Sequence, residues 1–276
     1  AARDRSQAGI TASPHGLSLV NIEYPAEFDL PRAVCVSVPL MAACVFDRGT
    51  EGGLGVMSSA TREVTAIKFC GIRDPASIEL AASLGVNAVG FVLYPPSPRA
   101  VTVEQLRVLQ LEVPPFVVRV GLVVNPNADM VKRLIDEHII DVIQFHGEES
   151  GEFCEGFGFP YVKALPAIPA VRQTHYWTQC LSTYPCARAF LLDTPHPTLR
   201  GGTGRCFDWS DWPKQIDRPL ILSGGLTVEN VAGAIARTHP YAVDVSSGIE
   251  REPGEKCRKR MIDFVASVRS GAAGEG

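Results

Sequence analysis

A cysteine closes the apolar run "AIKFC" (66–70), and an aspartate closes a second one, "AFLLD" (189–193). Burial lets a carboxyl group keep its proton near neutral pH, and a cation nearby lets a thiol give its proton up. Cys70 and Asp193 are therefore candidates for proton transfer, against the plainer readings of a packed thiol and a helix-capping or turn carboxylate. Strand alternation puts Lys68 on the face of Cys70. A lone ammonium inside a barrel or sheet is costly, so Lys68 requires an anion. Asp244, on the same face of "AVDVSSG" (242–248) as Ser246, is the expected partner, with Lys163 as a third member. Such pairing works only at close range, within ~6 Å.

Other residues suit a bound anion. "SGGL" (223–226) and "SSG" (246–248) can turn bare backbone N–H groups toward a phosphate, and "GGTG" (201–204) can close over the same place. The candidate phosphate residues are Ser223, Gly224, Gly225, Ser246, Ser247, Gly248, Gly202 and Gly204. Arg99, in the proline-stiffened "YPPSPR" (94–99), can grip a carboxylate in a fixed orientation. Gln144 and His146 share one face of "VIQFHG" (142–147), where the histidine is a strand-end hydrogen bonder or a base.

These residues need a scaffold that collects them at one end. From residue 66, β-rich runs recur eight times: 66–72, 88–94, 117–124, 142–147, 161–165, 189–194, 219–226 and 242–248. Helix-start chemistry lies between them. Asp74 precedes Pro75, whose missing N–H costs nothing at a first helical position. Thr102 and Gln105 have capping-box spacing, and Thr227 opens the periodic "TVENVAGAIA". Between 195 and 218 only "WSDWPKQ" suggests a short helix. Eight strand–helix alternations predict a parallel sheet closed into a single (β/α)8 barrel. A doubly wound open sheet competes, but no GxGxxG follows the first strand. In such a barrel, chemistry sits at the C-terminal ends of strands, and phosphate often sits after strands seven and eight.

The chain has 276 residues, 46% hydrophobic and 20% charged, enough for a large core. A net charge of −4 with scattered arginines argues against nucleic acid or an anionic membrane as partner. No apolar run approaches the ~20 residues of a membrane span. The eight cysteines form no CxxC pair and no zinc-like spacing, so no metal and a reducing cytoplasmic setting are expected. Residues 1–62 read as a poorly ordered or weakly packed extension around the apolar "AVCVSVPLMAACVF" (33–46). A targeting peptide, an extra packed element and sequence upstream of a start near Met57 are the open readings of it. The barrel is expected over 63–271, with a flexible tail at 272–276.

In order along 64–269, "KFCGIRD", "VGFVLYPPSPR", "VGLVVN", "IQFHGEE", "LLDT", "GGTGRCFDW", "LSGGLTVENV" and "AVDVSSGIE…PGEK" closely resemble the phosphoribosylanthranilate isomerases of tryptophan biosynthesis. The resemblance implies an Amadori rearrangement without cofactor, acting on a small phosphosugar. It also implies a general base at Cys70, a general acid at Asp193, and Arg99 as partner of the anthranilate carboxylate. Gln144 and His146 match positions lining the site. The base needs only a modest downward shift of its thiol pKa, for which Lys68 is the candidate cause. The loop "SPR" departs from the family's lysine-bearing form, and Cys206 is read as incidental. A monomer or homodimer is expected. The competing readings are another phosphosugar barrel, such as indole-glycerol-phosphate synthase or a histidine-pathway isomerase, and a barrel that only binds.

Overall fold

The computed structural model describes residues 64–194, 208–213 and 216–272. The extension expected over 1–62 and the Gly202–Gly204 segment lie outside these residues, as does the tail beyond Ala272.

Eight parallel strands close on themselves in sequence order. They are β1 (Ala66–Cys70), β2 (Ala88–Val92), β3 (Val118–Val123), β4 (Val142–Phe145), β5 (Tyr161–Pro166), β6 (Ala189–Asp193), β7 (Leu220–Leu222) and β8 (Ala242–Val245). The ring closes where β1 pairs with β8, with Lys68 opposite Asp244. Helices α1 (Pro75–Ser83), α2 (Val103–Leu109), α3 (Ala128–Asp136), α4 (Gly151–Glu155) and α5 (Thr174–Thr183) follow the first five strands. Between β6 and β7 the described residues hold only a 3-10 turn, Trp209–Asp211, within the expected short helix. Helix α6 (Val231–Thr238) follows β7. A hairpin, β9 (Glu250–Glu252) and β10 (Glu255–Lys256), leads from β8 into α7 (Arg258–Ala272).

Local chemistry starts the helices where expected, with one exception. Asp74 accepts the Ser77 N–H at 2.8 Å with Pro75 in the first turn, and Thr102 and Gln105 form a full capping box. Thr227 does not open α6. Gly224 and Gly225 have φ of +85° and +65°, so the chain leaves β7 through a left-handed turn and needs residues 226–230 to regain the helix direction. Asn230 then precedes α6, and its side chain reaches back to the Thr227 N–H and the Gly225 carbonyl.

Alternation divides the core in two. Outward side chains such as Phe69, Phe91, Phe145, Phe190 and Val243 pack beneath the helices, with Phe69 set edge-on to Phe264 of α7. Inward, Ala66, Ala164, Ala189, Leu191, Ile221 and Ala242 fill the floor of the barrel. Cys70, Val92 and Leu122 form a separate apolar group on the inward face, at the C-terminal ends of β1–β3. Small residues on the floor and Gly90 on β2 leave room for long side chains between these layers. A Cβ at Gly90 would lie 2.9 Å from the Cys70 sulfur and 3.1 Å from Lys68 Nζ.

Candidate active site

Lys68 and Asp244 meet inside the barrel at 2.8 Å, as alternation predicts. Asp244 and Cys70 together hold the Lys68 pKa above the ordinary lysine value, although burial opposes them. Ser223 Oγ lies 3.5 Å from the other Asp244 oxygen. Lys163 does not join this pair. Alternation on β5 puts Ala164 inward and Lys163 outward, in register with Phe145 and Phe190, and there it donates to Glu149 Oε2 at 2.7 Å and to the Gly147 carbonyl at 2.8 Å. Glu149 also accepts the backbone N–H groups of Asn125 and Gly147, so the pair braces the loop that follows His146.

Cys70 is 4% exposed, beside Lys68. Burial pushes its thiol pKa up. Lys68 and Lys256 pull the other way, and Asp244 adds to the rise. The expected downward shift is therefore not met: removing the thiolate from water outweighs two cations that are already paired, Lys68 with Asp244 and Lys256 with Glu250.

Asp193 extends the inward face of Leu191 to the end of β6 and is 7% exposed. His146 Nε2 lies 3.1 Å from Asp193 Oδ2, and Gln144 Nε2 lies 3.0 Å from His146 Nδ1. An amide nitrogen only donates, so with Gln144 in this orientation Nδ1 accepts and Nε2–H points to the carboxyl group. The sequence candidates Gln144, His146 and Asp193 thus form one chain across β4 and β6.

The two glycine-bearing loops also come together. Gly224 has no room for a side chain: a Cβ there would lie 2.4 Å from Thr194 Oγ1 and 2.9 Å from Asp193 Oδ1. A Cβ at Gly248 would stand 1.9 Å from the Leu226 carbonyl oxygen, so residues 223–226 and 246–248 lie backbone to backbone. A 3-10 turn spans Ser247–Ile249, and its first N–H groups are not used within it.

Arg99 is itself held by a carboxylate of the protein. Its Nε and Nη2 bind both oxygens of Glu250, at 2.8 and 2.7 Å. Glu250 also binds Lys256 at 2.7 Å, and Lys256 in turn donates to the Cys70 carbonyl at 2.6 Å. Gly71, with φ +76°, makes way for Arg99, whose Cδ would be 2.7 Å from a Cβ there. Sequence reasoning assigned no role to Glu250 or Lys256. The available signal was a Pro253-Gly254 turn between charged residues directly after β8.

Residues 67–267 match the family of N-(5'-phosphoribosyl)anthranilate (PRA) isomerases. The chain belongs to the N-(5'-phosphoribosyl)anthranilate isomerase family. It is an enzyme, an isomerase of tryptophan biosynthesis. The N-(5'-phosphoribosyl)anthranilate isomerase of Azotobacter vinelandii is 46% identical over 203 residues, covering 74% of this chain and 97% of the relative. The crystal structure of the Thermotoga maritima phosphoribosyl anthranilate isomerase superposes with a TM-score of 0.65 at 32% identity, covering 75% of this chain and all of that one. A phosphoribosyl anthranilate isomerase in complex with reduced 1-(o-carboxyphenylamino)-1-deoxyribulose 5-phosphate superposes with a TM-score of 0.62 at 31% identity, again over 75% of this chain and all of that one. Among the described residues, no helix is long and apolar enough to cross a membrane, and no group of His, Cys, Asp and Glu converges as a metal site.

Proposed function

We propose that this chain converts N-(5-phosphoribosyl)anthranilate to 1-(2-carboxyphenylamino)-1-deoxyribulose 5-phosphate, with Asp193 as general acid and Cys70 as general base. The observation that carries this reading is the placement of both groups on the inward face, at the C-terminal ends of β1 and β6, on the side of the barrel where the Ser223–Gly225 and Ser246–Gly248 loops follow β7 and β8. Asp193 gives its proton to the ribose ring oxygen, the C1–O bond breaks, and the nitrogen lone pair forms an iminium. That cation makes the C2 hydrogen acidic. Cys70 thiolate removes it, the electrons neutralise the iminium, and the resulting enol becomes the ketone by moving a proton to C1. No atom is gained or lost.

Proton placement fits these roles. The His146 N–H occupies Asp193 Oδ2, so Oδ1, on the Gly224 side, is the oxygen that carries the proton to be delivered. The phosphate belongs to the backbone of Ser223, Gly224, Gly225, Ser246, Ser247 and Gly248. The anthranilate carboxylate belongs to Arg99, with Gln144 and His146 lining the site. Residues 63–271 form the catalytic domain on this reading. The enzyme works without cofactor, as a monomer or homodimer in the cytoplasm, where the free thiols of Cys70, Cys154 and Cys180 stay reduced.

The test follows the loss of substrate fluorescence on freshly prepared phosphoribosylanthranilate. Cys70→Ala and Asp193→Asn should each lower kcat by about 100-fold or more with unchanged circular dichroism. Near-full turnover by either variant removes its residue from the mechanism.

A further inference from the structure

Arg99, Glu250 and Lys256 form a buried triad of charges beside Cys70. Their side chains are 11%, 3% and 1% exposed. A guanidinium offers two edges that each fit a carboxylate, one formed by Nε and one Nη, the other by the two Nη groups. Glu250 takes the first edge through Nε and Nη2. Nη1, which completes the second edge with the remaining Nη2 hydrogen, donates to no acceptor among the described residues.

A guanidinium already paired with one carboxylate is neutral as a unit and attracts a second one weakly. Lys256 changes that balance. Its Nζ faces Glu250 Oε1 at 2.7 Å, the Cys70 carbonyl at 2.6 Å and the Ser246 carbonyl at 3.2 Å. These three groups only accept, so three hydrogens are needed and the amine is an ammonium, even though burial pulls its pKa below the ordinary lysine value. With Lys256 charged, the triad carries one net positive charge when empty and none once a carboxylate binds.

We propose that Lys256 is a positioning residue for substrate recognition. It offsets Glu250 so that Glu250 can fix the guanidinium of Arg99 without cancelling its attraction for the substrate carboxylate. The inference rests on Arg99 as the carboxylate partner. It adds that the grip is end-on, through Nη1 and Nη2, and that a residue with no substrate contact supplies the charge.

The test uses two ligands, reduced 1-(2-carboxyphenylamino)-1-deoxyribulose 5-phosphate and the same molecule without the carboxyl group, with Kd measured by calorimetry. Lys256→Met should weaken the carboxylate ligand by about tenfold or more and the carboxylate-free ligand by less than about threefold. Glu250→Gln/Lys256→Met should return the first Kd to within about threefold of the parent, because Gln no longer cancels Arg99. Equal losses on both ligands, or no recovery in the double variant, overturn the proposal and make Lys256 a scaffold residue.

Arg99→Gln separates the two ideas. If it keeps the preference for the carboxylate ligand, the assignment of Arg99 fails and this proposal with it. If it loses the preference while Lys256→Met keeps it, the proposal alone fails. Should Lys256→Met not fold, Glu250→Gln is compared with the double variant. With the anion gone, the site holds two cations in Glu250→Gln and one in the double variant, so Glu250→Gln should bind the carboxylate ligand about tenfold more tightly and the carboxylate-free ligand within about threefold, and equal affinities for the carboxylate ligand overturn the proposal.

Discussion

Lys68 Nζ and Asp244 Oδ1 lie 2.8 Å apart inside the barrel, at the seam where β1 and β8 close the ring, and both side chains are less than a tenth exposed. Neither charge has water to return to if the other is removed. Lys68→Met should therefore lower the unfolding free energy by about 3–5 kcal/mol, the cost of a buried charge left unpaired. Lys68→Met/Asp244→Leu should recover most of that loss, since neither residue then carries charge into the barrel. Urea unfolding at pH 7 measures both. A single variant as stable as the parent would show that the pair is more solvated than its burial indicates.

The contact between the β7 and β8 loops rests on Gly248. An alanine Cβ would stand 1.9 Å from the Leu226 carbonyl oxygen, which is backbone and cannot swing aside. Gly248→Ala should raise KM and lower stability by about 1–3 kcal/mol, as overpacking does. Gly233 in α6 is the control: nothing lies within 4 Å of its added Cβ. Gly233→Ala should leave KM unchanged and stabilise by about 0.4–1 kcal/mol through the unfolded chain. Thermal melts with paired KM measurements separate the two. Parallel behaviour would mean that the loops are not fixed by backbone contact.

The barrel and much of the site were legible in the sequence because both depend on short-range rules. Strands buried on both faces read as apolar runs, and alternation alone puts Lys68 opposite Asp244 once β1 and β8 are neighbours. Asp74 and Thr102 declare helix starts through contacts three residues long. Alternation says nothing about loops, and there the reading fails. Two left-handed glycines delay α6 past Thr227. Lys163 is a different case: alternation puts it on the outward face with Tyr161 and Leu165, where Glu149 binds it. Glu250 and Lys256 reach Arg99 and the Cys70 carbonyl only because a hairpin folds back over the ends of β1 and β2. Gly254, at φ +88°, packs that hairpin against the Pro98 carbonyl, a contact that no local pattern encodes.

On the outer surface, Glu137 at the end of α3 takes two bonds from Arg107 of α2 and one from Arg133. These cations hold its carboxyl pKa down at about 2. A depressed pKa stabilises the fold in full above the unfolded value of about 4.3, and the contribution is lost as pH falls toward the folded value. Glu137→Gln should thus melt below the parent at pH 6, with the gap narrowing below about pH 4 and closing near pH 2. Salt should shrink the gap at pH 6, because the network is exposed. A gap independent of pH would assign the effect to packing instead of charge.

The pH dependence of turnover tests the base. On the proposed role Cys70 works as thiolate, so kcat/KM should rise as pH increases through the thiol pKa of the free enzyme. Burial raises that pKa above the ordinary cysteine value, with Lys68 and Lys256 only partly offsetting it. Near neutral pH the thiolate is then the minor form, and the rise should continue past about pH 8.5 before levelling. Cys70→Ala should remove both the rate and this alkaline limb, leaving residual turnover flat over the same range. More pH gives more thiolate, more thiolate gives faster removal of the C2 proton, and a higher thiol pKa moves the limb to higher pH. A profile already level below pH 7 would mean that the thiol is ionised in spite of its burial, and the cations beside it would then outweigh the loss of water.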